Sequence, residues 1–88
     1  VHMKIQKNQI VENVLPGANP AAAPLCRVIE AEIRHLPGHA RLCFADETRS
    51  DAWLIANNRT WAAPHENIRG CGGYVYRGGL VTMEGGAQ

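Results

Sequence analysis

The sequence contains no apolar run near the ~20 residues a membrane-spanning helix requires. No membrane partner is therefore expected. An excess of either charge is also missing: nine Lys and Arg face eight Asp and Glu, for a formal charge of +1. That balance provides no long-range attraction to nucleic acid or to an anionic membrane. Aromatic side chains are few, with one Phe, two Trp and two Tyr. Hydrophobic residues make up 45% of the chain, but many are alanines, so large side chains for a core are in short supply. One domain over residues 1–88 with one modest core is expected, and self-association would add buried surface. No signal-peptide pattern opens the chain, and Val1-His2 ahead of Met3 reads as an expression-tag remnant.

Paired cysteine motifs are absent as well. Cys26, Cys43 and Cys71 are odd in number and widely spaced, with no Cys-x-x-Cys. A secreted disulfide scaffold does not fit this set; reduced structural thiols in a cytoplasmic protein do.

What the sequence does contain is a glycine-fenced hairpin at its C-terminal end. Gly78-Gly79 lies between two short apolar runs, and a Gly-Gly loop suits a primed turn. The resulting register pairs Arg77 with Leu80, Tyr76 with Val81, Val75 with Thr82 and Tyr74 with Met83. Alternation then places Tyr74, Tyr76, Val81 and Met83 on one face, and that face needs a cover.

Upstream, a short strand is expected over Gln9 to Val14, stopped by Pro16-Gly17. The stretch from Pro24 to Leu36 carries Leu25, Val28, Ile29, Ile33 and Leu36 at helical spacing, with Pro24 at a first helical position. A helix is expected there, with Glu30 and Arg34 paired four apart. A strand reading also exists, because Ile29, Ala31 and Ile33 alternate. His39 to Ala45 alternates as a strand. Trp53-Leu54-Ile55 reads either as a doubly buried strand or as one helical turn capped by Ser50. Asn57-Asn58 tolerates left-handed geometry, which would allow a second hairpin with Leu54 facing Trp61. The expected fold is α+β, an antiparallel sheet of four to five strands with one helix on one face. The alternative is a small SH3- or OB-like barrel with a leading helix.

No catalytic set assembles along the chain, so no catalytic residue, metal ligand or cofactor is expected. His35 and His39 are four apart, but Pro37-Gly38 breaks any helix that would align them. Cys71 lies in a glycine-rich loop after Arg69, with His65 as a candidate base for nucleophilic work, but the favoured reading is a tight bend or bulge made by Gly70, Gly72 and Gly73 with Cys71 packed within it. Gly70-Cys71-Gly72-Gly73 lacks the glycine spacing, lysine and helix of a phosphate loop. Ile68-Arg69-Gly70 is similar to the Ile-Arg-Gly that precedes the last strand of Sm-like RNA-binding barrels. Those three residues are the whole match; the opening apolar motif and Asn signature of that family are missing.

The candidate binding residues are Trp53, Trp61, Arg69, Tyr74, Tyr76 and Arg77. Arginine with aromatics serves protein interfaces and base stacking alike. Three functions follow: a module binding a protein partner or itself through a sheet face or edge, a nucleic-acid binder using the Arg and aromatic face, and a small Cys- or metal-dependent enzyme. The first is favoured.

Overall fold

A computed structural model describes residues 5–70 in full and the backbone of residues 74–77 and 80–83. Ile10–Asn13 forms strand β1, inside the stretch expected to be extended. Pro16-Gly17 ends it as a tight turn, with the Ala18 N–H donating to the Leu15 carbonyl at 3.0 Å. Gly17 adopts φ +79° there, and Pro16, at the position before it, has its own φ fixed by its ring as the turn requires. After one 3-10 turn at Pro20–Ala22, the chain forms β2 at Leu25–Glu30 and β3 at His39–Phe44. Helix α1 covers Asp51–Ala56, β4 covers Trp61–Pro64 and β5 covers Ile68–Gly70. Tyr74–Arg77 (β6) and Leu80–Met83 (β7) pair separately, in the expected register from Arg77↔Leu80 to Tyr74↔Met83. Gly78-Gly79 and the side chains of β6 and β7 lie outside the described residues.

The first five strands make one antiparallel sheet in the order β4-β3-β2-β1-β5. β5 returns to the free side of β1, so β4 and β5 are the two ends. No hydrogen-bonded pairing joins them among the described residues, and no helix precedes β1 there. The fold is α+β, as expected.

The helix is in a different place from the one expected. The residues from Pro24 to Leu36 form β2 with the segments that flank it, and the one α-helix among the described residues is α1. The reason lies in burial on both sides. A strand covered on both faces carries apolar groups at successive positions rather than alternate ones. Cys26 and Val28 enter one cluster and Ile29 the other. The register steps from Val28↔Leu42 to Glu30↔Arg41, so Ile29 is the extra residue of a β-bulge. Bulge and double burial together imitate a helical stripe. Glu30 accordingly pairs with Arg41 on β3 at 3.2 Å, not with Arg34.

The α1 helix follows local signals. The Ser50 hydroxyl accepts from the Trp53 N–H at 3.2 Å, an N-cap. Asn58 takes φ 57°, and the Arg59 N–H donates to the Leu54 carbonyl at 2.8 Å, a Schellman ending with Asn as the left-handed residue. Asn57-Asn58 thus closes a helix instead of turning a hairpin. Leu54 and Trp61 do not face each other: they pack against different clusters.

The larger cluster joins Val11, Cys26, Val28, Ala40, Leu42, Ala63 and Ile68 on one face. On the other, Leu54 of α1 packs on Ile29 and Cys43, flanked by Trp53. Arg27, between Cys26 and Val28 on β2, points to this second side and is 1% exposed. Its guanidinium donates to Asn8 Oδ1 and to Asp51 Oδ1, both at 2.9 Å. Lys7 Nζ reaches the other Asp51 oxygen at 3.1 Å. Burial works against ionisation of Asp51, but the hydrogen bonds and charges of Arg27 and Lys7 outweigh it and hold the carboxyl below its usual value.

Asp51→Ala is expected to cost about 3 kcal/mol in denaturant unfolding, the low end for stranding a buried ion, since Asn8 remains as a partner. Lys7→Ala, removing an exposed partner, should cost no more than about 1 kcal/mol. Because the folded Asp51 is the stronger acid, its contribution is complete above the ordinary Asp range near pH ~3.9 and disappears as pH falls through the lower folded value. Stability measured from pH 6 to pH 2 should show that loss in the wild type and a flatter profile in Asp51→Asn.

Candidate functional site

Trp61 opens β4 opposite Leu42, which places it on the face of the larger cluster. Phe44, two residues beyond Leu42, emerges on the same side. The two rings meet at 4.8 Å between centroids with planes tilted by 55°, a favoured aromatic geometry. Asn13 stands two residues beyond Val11 and shares its face, while Leu15 follows in the turn and Pro24 precedes β2. Asn13, Leu15, Pro24, Phe44 and Trp61 line one open groove of about 280 Å³. A second hollow of about 230 Å³ shares Asn13, Leu15 and Pro24 and continues over Val14, Ala18, Ala22 and Ala23. Leu15 is 56% and Phe44 47% exposed, high for side chains of this size.

Among the described residues no charged side chain lines either hollow. The polar groups there are unusual. Trp61 Nε1 and Asn13 Oδ1 are both shielded from water, and neither has a hydrogen-bond partner. Leaving such a group unpaired costs roughly 1–3 kcal/mol, and buried groups of this kind are normally satisfied. One is a donor and the other an acceptor, and they belong to two residues that line the groove.

The expected binding residues divide between sites. Trp53 lies on the opposite side of the sheet, against Ile29, Cys43 and Leu54, with the Arg49 guanidinium 4.5 Å above its ring. Trp61 and Trp53 therefore do not share a surface. Arg69, on β5, pairs with Glu12 at 2.8 Å and reaches the Pro20 carbonyl at 3.5 Å. Tyr74, Tyr76 and Arg77 occupy β6, and their side chains lie outside the described residues, as does Cys71. Arg41 and Arg59 are likewise paired, with Glu30 and Glu47.

Two of the histidines act as local ties. His65 Nε2 lies 2.8 Å from the Ala31 carbonyl and 3.4 Å from Glu32, joining the β4–β5 connection to the loop after β2. His39 Nδ1 lies 3.1 Å from the Pro37 carbonyl, and His35 is exposed. Among the described residues no group of three or more His, Cys, Asp and Glu side chains is placed to hold a metal ion. Cys26 and Cys43 are buried free thiols. Burial pushes the Cys26 thiol up to about 12, and it also raises Cys43. Both are inert packing groups at neutral pH.

No protein-family model, no curated protein and no solved structure matches this chain.

Asn13, Leu15, Pro24 and Phe44 are the groove residues that sequence reasoning missed. Phe44 carried a signal as the single Phe of the chain, and Leu15-Pro16-Gly17 marked a large apolar residue at the mouth of a turn. Trp61→Phe keeps a ring on Phe44 and deletes the unpaired N–H. Its unfolding free energy is expected within about 1 kcal/mol of the wild type, or above it. A loss of several kcal/mol would mean the indole N–H is satisfied in solution.

Proposed function

We propose that this chain is a non-enzymatic interaction module that docks a protein partner, or a second copy of itself, on the sheet face around Leu15, Phe44 and Trp61. The observation that carries this reading is an apolar groove lined by the exposed Leu15 and Phe44 together with Trp61. Interfaces concentrate aromatic side chains and exclude charge at their centres. The groove has that composition, and among the described residues its lining offers no nucleophile and no acid or base.

Docking through a sheet edge has less support. β5 has three residues, and β4 has four and ends on Pro64, which cannot donate to an added strand. The nucleic-acid reading needs free positive charge, yet Arg27, Arg41, Arg59 and Arg69 each hold a carboxylate. Reduced, inert Cys26 and Cys43 suit a cytoplasmic location. No helix among the described residues is long and apolar enough to cross a membrane.

Phe44→Glu tests the reading, since a half-exposed position accepts the charge without unfolding. Sedimentation across a concentration series, and affinity capture from the native host, should show a dimer or a partner for the wild type that Phe44→Glu loses. Ile55→Glu, which places the same charge on exposed apolar surface of α1, should retain it. Equal behaviour of all three proteins, or a monomer that captures nothing, would refute the proposal.

A further inference from the structure

We infer that two copies of this chain pair through the outer edge of β7, antiparallel across a two-fold axis at Thr82, and so join their hairpins into one four-stranded sheet. The inference goes beyond the groove reading and uses a different surface.

Strands β6 and β7 make a two-stranded sheet of their own. Among the described residues, neither is hydrogen-bonded to the five-stranded sheet. A two-stranded sheet alone is marginal in water and gains from further strands. β6 is the strand of the two that approaches β1. The edge left for a further strand is therefore that of β7. Edges are ordinarily guarded by charge, proline, a bulge or very short length. The larger sheet follows that rule: β4 ends on Pro64, and β5 has three residues with Arg69 in the middle. The sequence of β7, Leu80-Val81-Thr82-Met83, has no charge and no proline, and its pairing with β6 runs without a register shift.

Backbone register selects the occupant. Two residues separate Arg77 from Leu80, so the Arg77–Leu80 pair exchanges its hydrogen bonds, as does the Val75–Thr82 pair further along. Val81 and Met83 consequently turn their N–H and C=O groups to the outer edge. In a two-fold antiparallel pairing about Thr82, Val81 of each copy lies opposite Met83 of the other. Both of those pairs exchange their N–H···O bonds. Thr82 meets Thr82 on the axis, a favourable cross-strand combination. No like charges come face to face along the strand, because it carries none. Tyr74, Tyr76, Val81 and Met83, which share a face by alternation, then fall on the same face as their counterparts in the second copy.

The test is the oligomeric state of the whole chain, measured by sedimentation equilibrium over a concentration series. The wild type should be a dimer in reversible equilibrium with monomer. Val81→Pro removes an outward N–H from each copy and should weaken the dimer about tenfold or more, the size of the hydrogen bonds lost. Thr82→Lys and Thr82→Glu each set like charges opposite one another, and each should be monomeric at concentrations where the wild type is dimeric. An equimolar mixture of the two should dimerise again, because the mixed pair sets opposite charges on the axis. That rescue keeps the test decisive if the proline disturbs the fold. Phe44→Glu, in the groove, should leave this dimer intact.

A wild-type chain that stays monomeric at every concentration, a dimer indifferent to Val81→Pro and to both Thr82 variants, or a Thr82 mixture that stays monomeric overturns the inference. If Phe44→Glu dissolves the dimer while the β7 variants keep it, the second copy docks on the groove: the edge pairing is wrong and the module reading stands. If the β7 variants dissolve the dimer while Phe44→Glu changes neither the dimer nor the capture of a partner, the groove reading falls and the edge pairing stands.

Discussion

The buried Arg27 guanidinium is the constraint on which the rest of the architecture depends. A charge shielded this completely persists only where neighbours supply both counter-charge and hydrogen bonds. Two segments outside β2 do so: the turn carrying Asn8, and the first residue of α1, Asp51, whose other oxygen is held by Lys7. Asn8 holds φ 69° in that turn, a conformation asparagine tolerates better than most residues. Asp51 is placed by the Ser50 cap, so the capping signal and the ion pair reinforce each other. The helix covers its side of the sheet because this pair fixes its start and Leu54 fills the space beyond.

Much of this arrangement was legible in the residues. β1, β3 and the β6–β7 register follow from alternation and from turn chemistry, which are local signals. The cap at Ser50 and the left-handed Asn58 were visible as well, although their joint meaning, a short helix, stayed one of two readings. β2 was misread for a physical reason. Arginine within an apolar run ordinarily marks a solvent-facing position, and here it marks the interior of a second layer. Tertiary partners separated by 19 and 24 residues help to make that tolerable. The groove was illegible for the same reason: Asn13, Pro24, Phe44 and Trp61 come from four places in the chain and meet only after the strands have paired.

The two sides of the sheet consequently do different work. The α1 side is closed, ion-paired and cross-linked by side chains. The other side has a sound apolar centre at Val11, Val28 and Leu42 but an unfinished margin, where Phe44 and Leu15 face water and two polar atoms lack partners. Such a margin costs stability in the isolated chain. A local inconsistency of this kind, in a sheet otherwise in agreement with its sequence, is the usual mark of a surface shaped for something else. Arg41, Arg59 and Arg69 each hold a carboxylate, so their charges are locally compensated.

The additional residue at Ile29 has a further consequence. Strands with uniform repeats can slide past one another, and a shift by one position exchanges inside for outside. In β2 such a shift would drive the guanidinium into the hydrocarbon of the larger cluster and leave the bulge without a matching kink in its neighbour. Misaligned assemblies of the meander are therefore penalised twice, by charge and by shape. An odd residue that looks like an irregularity thus serves the chain as a proofreading mark for strand alignment.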